Sequence, residues 1–367
     1  MKLSNRISRI DHTHIICGRN ALESLEKFIR TLPIDPLKIF ILVDQNTRIH
    51  CLPLLLAKAP KLSSAHLLEI PDGEPSKILE TARRLWMEMH QTGAGRDALL
   101  INLGGGVVTD LGGFIAAGYK RGIPCLHIPT TLLGQVDAAI GGKTAINFGE
   151  MKNQIGFFYL PKAVFIFPGF LSTLPFIHLR SGFSEIIKSS LVADPSLWRK
   201  IKRNPIQDLM RVPFDNPLWS HMINATVVMK NKIIKKDFTE HKYRKVLNFG
   251  HTVGHAMEAF SQESGQIPLL HGEAVAIGMI CAAYLSFLKT GLTSSDLENI
   301  NEYLREGFDP YLFPVKYPDG LIHRMAHDKK NLQGQILFTL LSRPGSPILN
   351  VQCNLEEIGS ALTFYWK

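Results

Sequence analysis

Short apolar runs recur through the first half of the chain, separated by stretches in which apolar residues return every three or four positions. The runs 39–43, 66–70, 98–103, 125–128 and 163–167 predict strands. Between the second and third, Ile78, Ala82, Leu85 and Met89 fall at helical spacing, predicting an amphipathic helix opened by Glu74-Pro75-Ser76. Strands alternating with helices predict a mostly parallel sheet with ligands at the C-terminal ends of its strands. Beyond Pro175 the strand pattern fades. Segments 182–193, 218–235, 250–260 and 272–289 read as helices, the last stopped by Gly291. The expected architecture is therefore an α/β domain with a mostly parallel sheet over residues 1–175, followed by a mainly α-helical domain over 176–367.

Composition narrows the class. At 367 residues, 45% hydrophobic and 20% charged, the chain is long enough for about two globular domains. Its 41 basic residues exceed its 32 acidic ones, a net charge of +9, yet no run of five basic residues occurs. That favours an anionic small molecule over nucleic acid. Cys17, Cys51, Cys125, Cys281 and Cys353 are dispersed without a CxxC pair, as expected of free thiols in a reducing compartment. The N-terminus lacks a secretory apolar core, and no apolar run approaches the roughly 18–20 residues of a membrane span. The richest stretch, 157–174, is broken by Pro161, Lys162 and Pro168. A cytoplasmic protein with no membrane partner is expected.

Three groupings carry candidate chemistry. The strand 98–103 runs into Gly104-Gly105-Gly106, and Val107-Val108-Thr109-Asp110 then opens a helical pattern. Such a junction lets backbone N–H groups and a helix N-terminus approach a phosphate, although a plain tight turn would use the same glycines. Gly141-Gly142-Lys143-Thr144 imitates the end of a P-loop, but Asp137 stands where that pattern needs glycine, which excludes the ATPase reading.

The second grouping is His251-Thr252-Val253-Gly254-His255, two imidazoles one turn apart, followed by His271 in Leu270-His271-Gly272-Glu273. Two histidines and one carboxylate make a catalytic metal set with a position left open. Glu185, an acid among apolar residues, is the candidate carboxylate. Thr252 stands where a zinc protease of the HExxH type needs its general base. The third grouping is cationic. Lys188, Lys230, Arg244 and Asn248 rise from otherwise apolar segments, Lys143, Lys152 and Asn153 cluster after the first domain's sheet, and Lys329-Lys330 follow His327-Asp328. Together they suit a substrate bearing both carboxylate and phosphate, where isolated lysines would be solvated surface charge.

With these residues assembled, the sequence resembles the 3-dehydroquinate synthase family of the shikimate pathway from about Asp44 to Lys330. The blocks that carry the resemblance are PDGEPSK (71–77), GGGVVTD (104–110), PTTLLGQVDAAIGGKTAIN (129–147), MKNQIGFF (151–158), SEIIK (184–188), LNFGHTVGHA (247–256) and LLHGEAVAIGM (269–279). The resemblance implies a Rossmann-like N-terminal domain for NAD and a helical C-terminal domain for zinc or cobalt, with the active site between them. It implies Glu185, His251 and His271 as metal ligands. Asp44, Glu74, Lys77, Gly105, Gly106 and Asp110 would contact NAD, as would Thr130, Thr131, Asp137, Lys152 and Asn153. Lys143, Asn153, Lys188, Lys230, Arg244, Asn248, His255 and Lys330 would meet the substrate's carboxylate and phosphate. Whether Lys329 or Lys330 makes that contact stays open, as does the choice between proton relay and phosphate holding for His255. Arg121 resembles the arginine that this family lends to the neighbouring subunit, which implies a homodimer.

The implied reaction oxidises a hydroxyl of 3-deoxy-D-arabino-heptulosonate 7-phosphate with NAD, eliminates phosphate, returns the hydride, and closes the opened ring by an intramolecular aldol step. The chain departs from the family's usual pattern at Phe238, Thr109, Met151 and the Ser189-Ser190 pair, and 261–268 makes the spacing from His251 to His271 slightly long. None of these changes removes an implied ligand. Three rivals remain in view: another sugar-phosphate cyclase of the same superfamily, a metal-dependent polyol dehydrogenase, and a basic nucleic-acid-binding protein.

Overall fold

The computed structural model describes residues 6–10, 13–149, 151–263, 267–311, 319–326 and 336–367. Among these residues nine strands form in the first half: β1 Arg6–Ile10, β2 Thr13–Cys17, β3 Ile39–Asp44, β4 His66–Ile70, β5 Leu99–Gly104, β6 Cys125–Pro129, β7 Lys143–Phe148, β8 Met151–Phe158 and β9 Ala163–Ile166. Seven make one sheet in the order β1-β2-β9-β6-β5-β3-β4. All its pairings are parallel except β1 with β2. The two-period of a strand explains the packing. Ile39, Ile41 and Val43 of β3 enter a core with Leu22, Leu25 and Phe165. Phe40 and Leu42 enter the opposite core, with Leu85, Leu111 and Ile115. Every residue of β5 is buried, as expected of a central strand covered on both faces.

The expected strands and the 79–91 helix are present, but β1, β2 and the antiparallel hairpin β7–β8 had no clear signal in the sequence. The hairpin follows from its paired motif segments, with Ile146 opposite Ile155 and Thr144 opposite Phe157. Beyond Pro175, helices Phe176–Ala193, Pro217–Lys236, His251–Glu263 and His271–Lys289 appear. So does a further hairpin, β10 Leu337–Arg343 with β11 Ser346–Gln352, which corrects the expectation that strands end there.

Contact density divides the chain into two compact units, residues 1–175 with 213–235, and residues 176–212 with 236–367. Most of the Pro217–Lys236 helix thus belongs with the sheet rather than with the helical residues around it in sequence. The expectation that no apolar segment is long enough for a membrane also needs correction. By length and composition His271–Lys289 qualifies, with 72% of its apolar window buried. Its contacts with the His251–Glu263 and Leu355–Trp366 helices identify it as the core helix of the second unit.

Candidate active site

In the first unit the glycine run ends β5 and starts the helix Gly106–Gly118. A Cβ on Gly105 would stand 2.9 Å from Thr131 Cγ2, so glycine is what lets the two loops close together there. Thr130 N–H donates to Gly104 O at 3.0 Å, and Thr131 Oγ1 accepts from Gly134 N–H at 3.0 Å. Asp44, at the end of β3, caps the next helix by accepting from Thr47 N–H at 2.7 Å.

Four residues expected at a nucleotide site form a network. Lys77 Nζ, buried, lies 2.6 Å from both Asp110 Oδ2 and Asn153 Oδ1. Burial lifts the Asp110 carboxyl above its ordinary range, although the adjacent Lys77 ammonium pulls the other way. Glu74 Oε1 accepts from Asn147 Nδ2 at 2.9 Å, and Asn147 Oδ1 accepts from Asn153 N–H at 3.0 Å. Asn153 has φ of 55°, a conformation asparagine tolerates better than most residues. Asn147, the link between Glu74 and Asn153, was not singled out in the sequence; only its place at the end of a motif hinted at it. Lys152 shares β8 with Asn153, whereas Lys143 opens β7 with its side chain exposed. Arg121 is exposed in the turn after the Gly106–Gly118 helix, with φ of 69°.

Asp137 sits in a π turn over Gly134–Ala138. Its Oδ1 and backbone O lie 2.5 and 2.6 Å from Lys230 Nζ on the Pro217–Lys236 helix. Such turns recur at functional positions because they turn one residue out of helical register.

In the second unit three helices converge. Glu185 comes from Phe176–Ala193, His251 from the first turn of its helix, and His271 from the first position of the next. One ligand atom from each lies within 4.8 Å of the others. Glu185 Oε1 is 3.7 Å from His251 Nε2 and 3.6 Å from His271 Nε2. A tetrahedral ion with bonds of about 2.1 Å separates its ligand atoms by about 3.4 Å, so one carboxylate and two imidazoles at this spacing fit a single divalent ion. Lys188, buried one turn beyond Glu185, pairs with its carboxylate. Burial disfavours a charged His271 ring, but the Glu185 and Glu258 carboxylates outweigh it and lift its pKa to about 10.

The helix start that carries His271 is fastened on several sides. Gly272 N–H donates to Ser181 Oγ at 3.0 Å, Glu273 Oε2 accepts from Leu270 N–H at 2.9 Å, and Arg180 bonds Glu273 Oε1 at 2.9 Å. The His255 ring is exposed, its centroid 5.1 Å from that of His251 and 6.0 Å from that of His271.

Arg244 and Asn248 of the cationic grouping lie in a short 3-10 helix, Tyr243–Asn248, and the residues leading into it are held by Asp237. Asp237 accepts from the N–H groups of His241, Lys242 and Arg244 at 3.1, 2.7 and 2.9 Å. Partial burial works against its charge, but those donors, Arg244 first, hold its carboxyl below the usual range. Arg244, buried, donates to Phe238 O at 2.6 Å. The departure at Phe238 therefore costs this contact nothing, because the backbone carbonyl makes it. Asn248 Nδ2 donates to Glu240 Oε1 at 3.0 Å. Glu240 and Glu258 are further acids at the site that spacing alone did not single out. Thr109 bonds back to Gly105 O and Gly106 O, Ser189 is buried in its helix, and Met151 is exposed at the start of β8. Lys330, with Asp328, Lys329 and residues 264–266, lies outside the described residues.

Comparison with known proteins gives this arrangement a context. Residues 67–181 match the family model for the 3-dehydroquinate synthase N-terminal domain, and residues 182–331 the model for its C-terminal domain. A 3-dehydroquinate synthase of Parabacteroides distasonis is 39% identical over 351 residues, 96% of this chain and 97% of that protein. Among solved structures, the 2-epi-5-epi-valiolone synthase of Streptomyces hygroscopicus, with NAD+ and Zn2+ bound, is similar at a TM-score of 0.84 and 29% identity, covering 98% of this chain and 99% of that one. A 2-deoxy-scyllo-inosose synthase complexed with carbaglucose-6-phosphate, NAD+ and Co2+ is similar at 0.83 and 26%, with coverage of 98% and 99%.

Proposed function

The chain belongs to the 3-dehydroquinate synthase family, and from that premise we propose that it converts 3-deoxy-D-arabino-heptulosonate 7-phosphate into 3-dehydroquinate and phosphate, a phosphate-eliminating lyase reaction that ends in ring closure. The observation that carries this reading is the convergence of Glu185, His251 and His271 beside the buried Lys188 in a chain of this family. When bound, NAD supplies a hydride acceptor restored within each turnover, and Zn2+ or Co2+ supplies a Lewis acid for oxygen atoms on the substrate.

The chain's own residues would do the rest. Glu185, His251 and His271 hold the metal. Asp44, Glu74, Lys77, Gly105, Gly106 and Asp110 hold NAD together with Thr130, Thr131, Asp137, Lys152 and Asn153. Lys143, Lys188, Lys230, Arg244, Asn248 and Lys330 bind the carboxylate and phosphate, so the reacting carbons stay aligned through several steps. His255 relays the proton released as phosphate departs, or holds the phosphate itself.

We infer a cytoplasmic homodimer that acts on a small molecule, with no nucleic-acid or membrane partner. Five buried cysteines without a disulfide suit a reducing compartment. The β7–β8 hairpin exposes Phe148, Met151, Ile155, Phe157 and Phe158 on its two faces, apolar surface of the kind that association covers, and Arg121 would then serve the neighbouring subunit's phosphate site. A sister cyclase acting on another phosphorylated ketose is the second reading, supported by the likeness to the two solved cyclases. The assay is phosphate release from 3-deoxy-D-arabino-heptulosonate 7-phosphate with catalytic NAD and zinc, coupled to a dehydratase and read as dehydroshikimate absorbance. Phosphate and dehydroquinate in step, with no net NADH, support the synthase. Turnover only with sedoheptulose 7-phosphate would move the assignment to a sister cyclase, and stoichiometric NADH to a dehydrogenase.

A further inference from the structure

The two imidazoles of the metal cluster are anchored differently. His251 presents Nε2 to Glu185 while its Nδ1 faces the backbone carbonyl of Phe249 at 3.3 Å. His271 presents Nε2 to the same Glu185 oxygen, but its Nδ1 lies 3.0 Å from Glu258 Oε2. Glu258 belongs to the helix that supplies His251: His251, His255 and Glu258 sit at i, i+4 and i+7, one face of that helix. Its carboxylate is largely buried, with 13% of the side chain exposed. A charge withdrawn from water at that depth needs a compensating contact, and His271 provides it.

We propose that Glu258 is a positioning residue for the metal centre, its carboxylate holding His271 Nδ1 so that Nε2 points at the ion shared with Glu185 and His251. This rests on the metal reading of that cluster. His271 is the first residue of its helix, with no preceding turn of that helix to pack its ring. The orientation of the ring must then come from what its far nitrogen meets. A carboxylate in that place fixes the tautomer with the proton on Nδ1, frees the Nε2 lone pair and makes the ring a stronger donor. The Phe249 carbonyl fixes the tautomer of His251 in the same way without adding charge. The two imidazoles are therefore unequal ligands, and His271 is the one that a single side-chain change can weaken without touching a ligand.

The test is Co2+ titration of the full-length protein in competition with a chelator, with the visible absorption of the bound ion and the melting midpoint of the metal-free protein recorded alongside. Wild type is expected to take up one Co2+. Glu258→Gln is expected to bind it about 10-fold more weakly with a shifted absorption band, and Glu258→Ala up to about 100-fold more weakly, while the metal-free melting midpoint stays close to wild type. Wild-type affinity and absorption in the Gln variant would overturn the proposal and leave the metal site standing. Failure of the wild-type protein to bind Co2+ would overturn both. If the Ala variant does not fold, the Gln variant decides alone.

Discussion

Lys230 reaches Asp137 across 93 residues of sequence, its ammonium bonded to both the side chain and the backbone carbonyl. The pair joins a helix from the second half of the chain to the π turn beside the sheet of the first, within one compact unit. The contact also changes what Lys230 can do. A buried lysine held by a carboxylate is already oriented, so an incoming anion meets a fixed charge rather than a mobile one.

Removing the carboxylate should cost more than removing a surface pair. Asp137→Ala takes the carboxylate away from the Lys230 ammonium, which is 7% exposed. A loss of about 3 kcal/mol is expected, the low end of the range for breaking buried pairs because Asp137 keeps some solvent contact. Urea unfolding followed by fluorescence checks this. A loss under about 0.5 kcal/mol would mean that water replaces the carboxylate without cost.

His271→Ala should remove bound metal and turnover together while the fold survives. The ring is one of three donors that converge among the described residues, and losing it leaves Glu185 and His251 too few to hold a divalent ion tightly. Metal content by elemental analysis, paired with circular dichroism, is the measurement. Full activity in this variant would refute the metal assignment.

Gly272→Ala should damage the same centre through the backbone. A Cβ there would stand 1.9 Å from Ser181 O, one turn before Glu185 on the neighbouring helix. The start of the His271 helix would have to move away from the helix that carries Glu185, separating two donors. Expected are a loss of about 1–3 kcal/mol in stability and weaker Co2+ binding. Unchanged affinity would show that the helix start adjusts without moving the ring.

The parts of this molecule that were legible in the sequence share one property: their signal is local. β3 and β5 announce themselves through consecutive apolar residues, and His251 and His255 through a four-residue spacing. The Lys230–Asp137 bond, the Asn147 bridge and the Glu258–His271 contact have no such signal, because each joins residues brought together only by folding. Glu240 was hidden for a related reason. It bonds Asn248 from a loop held by Asp237, where neither helical nor strand periodicity applies. The β10–β11 hairpin was missed although β10 is apolar, because the helical segments before it set the expectation for everything after Pro175.

One buried histidine outside the candidate site makes the first unit sensitive to acid. His127 lies in β6 at 3% exposure, its Nδ1 3.1 Å from Asn102 Nδ2 on β5. The amide donates, so the neutral ring carries its proton on Nε2. Burial pushes its pKa down from 6.5 to about 4. Below pH 6.5 the unfolded chain therefore takes up a proton that the folded chain refuses, and stability falls as pH falls until the folded ring titrates too. At about 1.4 kcal/mol per pH unit, the loss between pH 6.5 and 4 comes to roughly 3 kcal/mol, and this group contributes no slope above that window. His127→Gln cannot titrate there, so its melting midpoint should fall less than that of wild type between pH 7 and pH 4.5. Trp86, which stacks on Phe114 in the same unit, offers a local fluorescence probe. Parallel pH profiles for the two proteins would mean that the wild-type ring is protonated without penalty, contrary to its burial between the strands.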